Sequence, residues 1–150
     1  SMTTVHIKIK RLHPDAKLPV YKTDGSGAMD VFALALEKYG ERGLEKYATY
    51  STGLAFELPP GHGLFALSRS GHGFTSGQRL TNGIALLDCD YRGELFVQLV
   101  WHGNGVEMPN EGERICQILC LPMPRIVLEE VAELSTTERG GGGMGSTGNE

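Results

Sequence analysis

The run 83-GIALLDCDYRGELFVQLVW-101 decides the fold class. Two apolar stretches, Leu80 to Leu87 and Glu94 to Trp101, are each shorter than an ordinary helix, and an Asp88-Cys89-Asp90-Tyr91-Arg92-Gly93 turn divides them. Short apolar runs bounded by Asp, Gly and Asn are the mark of β-strands joined by tight turns. The same punctuation extends in both directions. Upstream, Val5-His6-Ile7-Lys8-Ile9-Lys10 alternates with period 2, and apolar runs follow at Met29 to Ala35, Gly53 to Leu58 and Gly63 to Leu67. Downstream come Ile115 to Leu121 and Ile126 to Leu134. The breaks fall at Pro59-Pro60-Gly61, the glycines from Gly71 to Gly77, Gly103-Asn104-Gly105, Pro109-Asn110 and Pro122 to Pro124. Such spacing predicts an all-β sandwich or barrel. Leu36 to Tyr50 is the only stretch with helical character, but Gly40 and Gly43 interrupt it. It reads as a charged surface excursion with room for one helical turn.

The 150 residues have the length of one domain, with 40% hydrophobic and 21% charged residues. A net charge of -4 argues against a general nucleic-acid coat while leaving room for a small anion in a local basic pocket. Cys89, Cys116 and Cys120 are odd in number and sit among apolar neighbours, as buried free thiols in a reducing compartment do. No apolar run approaches the roughly 18 residues of a membrane span, and no charged-then-apolar leader opens the chain. The expected location is cytoplasmic. No repeat with a solenoid period is visible.

Several clusters carry chemistry. The Asp88-x-Asp90-Tyr91 turn puts a carboxylate at a strand end beside an aromatic ring. There Asp88 either activates water as a general base or, with Asp90, closes a plain hairpin turn. Leu67-Ser68-Arg69-Ser70-Gly71 offers a guanidinium fork, hydroxyls and an accessible backbone, which suits either a phosphate grip or a capped surface turn. His72 follows directly and, like His62 and His102, reads by default as an exposed loop histidine, with a phosphate contact as the lesser alternative. In Gly112-Glu113-Arg114-Ile115-Cys116-Gln117-Ile118, period 2 places Arg114 and Gln117 on opposite faces of a strand. The Gln117 amide, on an otherwise apolar face, must find a partner in the backbone or in a ligand. Gly25-Ser26-Gly27-Ala28-Met29-Asp30-Val31 is a small-residue turn that Asp30 closes. From Arg139 onward the chain holds six glycines and, apart from Met144, almost nothing apolar. That composition fits a loose terminus, or an arm that orders around an anion through Arg139 and peptide N–H groups.

In this order, Gly-Ala-Met-Asp-Val, Ser-Arg-Ser-Gly, Asn82 through Asp88-x-Asp90-Tyr91-Arg-Gly-Glu, Gly-Glu-Arg-Ile-Cys-Gln and Arg-Gly-Gly-Gly-Gly-Met-Gly-Ser-Thr-Gly resemble the five motifs of the trimeric dUTPases. Ser51-Thr52-Gly53-Leu54-Ala55-Phe56 and Leu58-Pro59-Pro60-Gly61 are also similar, so the resemblance covers nearly the whole chain. It implies a distorted jelly-roll subunit spanning residues 2–135 and a glycine-rich arm over 136–150. It also implies a homotrimer with three shared active sites, and cleavage of dUTP with Mg²⁺ to dUMP and pyrophosphate.

By matching position, the resemblance makes Asp88 the activator of water and packs Tyr91 against the deoxyribose. Asn82 and the hairpin backbone through Ala85 and Leu87 would read the uracil edge. Arg69, Ser70, Gly71 and Gln117 would engage or support the phosphates. Asp30 would stand near the metal's water ligands or brace the second motif. Arg139, Gly143, Met144, Gly145, Ser146 and Thr147 would close over the nucleotide from another subunit. The chain departs from the family pattern where Met144 replaces an aromatic residue, Ala85 a glycine and Ser68 a proline. A dCTP deaminase-like relative and an inactive nucleotide-sensing module are the competing readings. The Asp88-Cys89-Asp90-Tyr91 arrangement argues against the first, and Asp88, Gln117 and Arg139 together argue against the second.

Overall fold

Strand β4 (Glu45–Glu57) buries Tyr50 through Phe56 without a break. A strand covered on one face alone would alternate, so this stretch must be enclosed on both sides. Along one edge, β1 (Lys8–Arg11) pairs with residues 54–57 and β3 (Ala35–Arg42) with residues 45–51. Along the other lies β8 (Glu94–His102), itself flanked by β6 (Arg79–Leu80). A second antiparallel sheet has the order β2 (Met29–Phe32), β9 (Arg114–Pro122), β5 (His62–Leu67) and β7 (Ala85–Leu87). Both sheets contribute to one apolar core, with Val31, Leu64 and Ile115 from the second packed into the same cluster as Tyr50, Leu54, Leu99 and Trp101. This is the expected all-β sandwich. The computed structural model describes residues 3–143 and 145.

The β4 ladder breaks between Ser51 and Ala55, where the register against β8 shifts. Gly53 supplies a φ of 69° there, a backbone state that side chains disfavour. Local side chains then satisfy the backbone groups that the irregular ladder leaves open. Thr52 Oγ1 donates to Leu95 O at 2.7 Å, the Leu54 amide donates to Thr52 Oγ1 at 3.2 Å, and the Gly53 amide donates to Glu94 Oε2 at 3.1 Å. Nearby, the buried Tyr50 hydroxyl donates to Pro109 O at 2.7 Å and ties the strand to the loop before β9.

Five expectations change. Leu36 to Tyr50 is neither an excursion nor helical: it forms nearly all of β3 and the first six residues of β4, a hairpin turning at Gly43, whose φ is 60°. Its charges sit where an edge strand meets water, and Tyr47 lies under the Arg42 guanidinium at 4.4 Å. The one helix, α1 (Ser70–Ser76), stands where the glycines suggested a turn. Leu80 to Leu87 divides into β6 and β7, which belong to different sheets. Ile126 to Leu134 forms no strand, because no strand of this chain pairs with it; Ile126, Val127 and Leu128 are 84%, 91% and 90% exposed. Cys116 is buried as expected, whereas Cys89 and Cys120 are only half-buried.

Two predictions concern this core. Gly53→Ala would place a Cβ 2.8 Å from the Ala16 Cβ and 3.0 Å from Leu34 Cδ2 in a left-handed conformation. Urea unfolding should show a loss of about 2–4 kcal/mol. Burial lifts both Tyr50 and Cys116 to about 12, from 10.0 and 9.0. Above pH 9 the folded chain therefore retains protons that the unfolded chain has released. Stability should fall as pH rises from about 9 towards 12, by up to about 1.4 kcal/mol per pH unit for each group. Denaturant midpoints across that range will test the sign.

Candidate active site

The second sheet aligns motifs that are far apart in sequence. Met29, Ile118, Ala66 and Ala85 form one row across its four strands, and Asp30, Gln117 and Leu67 form the next row. Antiparallel pairing thus brings the Asp30 turn, the Gln117 strand, the strand entering Ser68-Arg69-Ser70 and the Asn82 to Leu87 hairpin into one transverse band.

Asp30 is the centre of this band. It is 3% exposed, and its carboxylate accepts from Arg114 Nε at 3.0 Å and from Gln117 Nε2 at 3.2 Å. Strict alternation had put Arg114 and Gln117 on opposite faces. A bulge overturns that expectation: Val31 pairs with Cys116 while Phe32 pairs with Arg114, leaving Ile115 as the extra residue. The bulge changes the parity of β9 and buries Ile115 and Cys116 in succession. Arg114 also stacks over the Phe32 ring at 5.6 Å. Within the chain, the Gln117 amide nitrogen finds a side-chain carboxylate.

The hairpin from β6 to β8 holds the carboxylate candidate. Gly83, at φ 68°, and the Ile84 amide bond to Asn82 O at 2.7 Å shape the turn that exposes Asn82. Asn82 and Ala85 line a cleft of about 310 Å³ between the sheets, with Ala66, Leu80 and Phe96. Leu87 points into the core, so the next residue, Asp88, emerges on the exposed side of β7. Asp88 lines a separate cleft of about 590 Å³ with Leu86, Asp90 and Arg125. The Tyr91 amide donates to Asp88 O at 3.1 Å, and the Tyr91 hydroxyl donates to Glu94 O at 2.8 Å. A Cβ on Gly93 would run into the Tyr91 ring, so that glycine keeps the ring in place. Arg125 was not singled out from the sequence; a lone arginine after Pro124 carries no pattern.

At the far end of β5, Arg69 is half-buried and Ser70 and Gly71 are exposed. Ser68 Oγ accepts from the Leu80 amide at 2.9 Å and anchors the turn to β6. Arg69 Nη1 lies 3.3 Å from His72 Nε2. Burial first, then the Arg69 charge, lowers the His72 pKa below 6.5, against an opposing pull from Glu113.

Asp88 and the Arg69-Ser70-Gly71 turn do not meet within one chain. Leu87 pairs with Leu64 near the start of β5, whereas the turn leaves β5 after Leu67. The strand between those points already spans about 10 Å at ~3.3 Å per residue. In the described part of the arm, Arg139 Nε donates to Gly142 O at 2.6 Å in a local turn, and Gly143 and Gly145 are exposed. Met144, Ser146 and Thr147 lie outside the described residues. No group of three or more His, Cys, Asp or Glu suited to a metal ion occurs among the described residues. No helix among them is long and apolar enough to cross a membrane.

Comparisons with known proteins place nearly the whole chain in one family. The dUTPase family model matches residues 15–148. A Dictyoglomus turgidum protein named deoxyuridine 5'-triphosphate nucleotidohydrolase is 40% identical over 147 residues, covering 96% of this chain and 99% of that protein. A protein of the same name from Syntrophotalea carbinolica is 38% identical over 151 residues, covering 98% and 99%. In fold, the Staphylococcus bacteriophage 80alpha dUTPase with dUpNHpp superimposes with a TM-score of 0.78 at 22% identity, covering 97% of this chain and 100% of that one. A phage phi11 dUTPase mutant, whose structure reveals the coordination of a structural Mg(II) ion, gives 0.71 at 18% identity over 87% and 99%. With matched motifs laid across one sheet and a family match over nearly its full length, the chain belongs to the dUTPase family.

Proposed function

We propose that the chain hydrolyses dUTP to dUMP and pyrophosphate, with Asp88 as the base that takes a proton from the attacking water. As a member of its family the chain is a dUTP diphosphatase. The observation that carries the assignment of the base is the exposed Asp88 carboxylate at the end of β7, on a turn whose Tyr91 ring is fixed against Gly93 and Glu94. Water loses its proton to Asp88 as it attacks at the α–β anhydride, and pyrophosphate departs. A positioned base of this kind contributes about 10²–10⁴-fold in rate.

The base enters beside Asn82 and Ala85, where amide and backbone groups can pair with its edge, and the Tyr91 ring packs on the deoxyribose. Arg69, Ser70 and Gly71 supply donors to the phosphates, as Arg and hydroxyl groups do best. Gln117 supports that grip, and Asp30 braces Gln117. Of the two roles implied for Asp30, its hydrogen bonds to Arg114 and Gln117 favour the brace. Magnesium fits this donor set as part of the substrate, bound mainly through phosphate oxygens and water, where it neutralises the triphosphate. Arg139 and the arm through Gly143, Met144, Gly145, Ser146 and Thr147 then cover the nucleotide and exclude other water.

Two observations support a homotrimer with shared sites. Base and phosphate grip leave opposite ends of β5, so one chain cannot apply both to adjacent phosphates. The apolar run from Ile126 to Leu128 is also exposed among the described residues, and another copy could bury it.

Five results are expected. With Mg²⁺ and dUTP the protein should release pyrophosphate, and with dCTP no ammonia; absence of pyrophosphate would overturn the activity. Asp88→Asn should bind dUpNHpp nearly as the parent does while losing turnover by at least ~10²-fold. Solution mass should lie near three times 16.3 kDa. A co-refolded mixture of Asp88→Asn and Arg69→Ala should regain activity that neither has alone, and a mixture as inactive as its parents would refute sharing. Truncation after Ser135 should cut turnover sharply and leave the circular dichroism of the β core unchanged.

A further inference from the structure

Among the described residues, one buried side-chain nitrogen or oxygen lacks a hydrogen-bond partner: Nδ1 of His72. The other ring nitrogen fixes which of the two carries the proton. Nε2 lies 3.3 Å from Arg69 Nη1, and a guanidinium has donors only, so Nε2 must accept and the ring proton must sit on Nδ1. A neutral ring is the only state that keeps this contact. An imidazolium would turn a second donor, and a second positive charge, towards Arg69.

The spacing allows it because residues three apart on a helical turn face one another, and His72 lies within α1 just after Arg69. Across a polar cleft of about 740 Å³, Glu113 and Glu107 are the charged groups near the ring, with Gln78, Ser76 and Asn110 as its polar lining. Burial and Arg69 together outweigh the Glu113 carboxylate, so the ring stays neutral near pH 7. The Arg69 contact commits one of five N–H donors and leaves the others for a ligand.

We propose that His72 is a positioning residue: its neutral ring takes a hydrogen bond from Arg69 and fixes the guanidinium for the triphosphate, and protonation releases it. The proposal rests on the reading of Arg69 as a phosphate ligand. It makes His72 act on KM rather than on the chemical step, and on triphosphate rather than on dUMP. It also places a proton-sensitive element at the phosphate end of the site, remote from Asp88.

Steady-state kinetics with dUTP and binding of dUpNHpp and dUMP, from pH 5.5 to 8, test it. His72→Leu, which has no acceptor, should raise KM about tenfold at pH 7.5 and weaken dUpNHpp to match, with kcat within about twofold and dUMP affinity unchanged. His72→Gln restores an acceptor that does not titrate. It should recover the parent's KM at pH 7.5 and lack the extra rise in KM that the parent shows towards pH 5.5. A parent-like KM in His72→Leu, or coincident pH profiles for the parent and His72→Gln, would overturn the proposal. Arg69→Ala separates the two readings: if it leaves KM unchanged, the assignment of Arg69 to phosphate fails. If it raises KM while His72→Leu does not, only the role of His72 fails. Should His72→Leu not fold by circular dichroism, the comparison of parent and His72→Gln decides.

Discussion

Strand β4 must bury Tyr50 through Phe56 while its backbone serves β1 and β3 along one edge and β8 along the other. Few strands bear such a load, because every amide and carbonyl in the buried stretch needs a partner. The ladder alone cannot supply them at the irregularity around Gly53, so Thr52 and Glu94 complete the set. Once β4 is in place, the position of β8 follows, and with it the strand into which the Asp88 turn returns. The site's hairpin is therefore held by the part of the molecule least able to shift.

The β9 bulge plays a comparable part in the second sheet. By inserting Ile115 it swings Arg114 to the side of Gln117, and both close on the buried Asp30. A buried carboxylate with only one donor would be costly, and two donors, one of them cationic, offset much of its desolvation. The consequence for the site is rigidity at Gln117, which lies directly beside Leu67 and hence beside the strand that delivers Arg69.

That rigidity contrasts with the periphery. Ser70, Gly71, Asp88, Tyr91 and the described part of the arm are exposed in a single chain. The Asp88 turn and the Arg69-Ser70-Gly71 turn depart at different points along β5, with Leu64 and Leu67 about 10 Å apart along the strand. The apolar run after Pro122 is exposed in the same way. The contact between Arg69 Nη1 and His72 Nε2 at 3.3 Å holds a half-buried guanidinium within this otherwise exposed periphery.

Much of this was legible in the residues alone. Turn residues every few positions established an all-β chain, because Gly, Pro, Asn and Asp act locally through their own backbone preferences. The ordered motifs named the family and its candidate groups, since each motif is a short contiguous word. Other features depended on which strands meet. Leu36 to Tyr50 looked like a charged excursion because charges spaced along an edge strand imitate a helix face, and only pairing between β3 and β4 resolves them. The Asp30–Arg114–Gln117 cluster was hidden because a one-residue bulge reverses side-chain parity, and nothing in Glu113-Arg114-Ile115-Cys116 marks it. Ile126 to Leu134 has strand composition but no strand, because a strand exists only when another backbone accepts its hydrogen bonds. Sequence thus determined which residues could do chemistry, through their intrinsic side-chain properties. Tertiary structure decided which of them stand together, because register and distance are properties of the packed sheets.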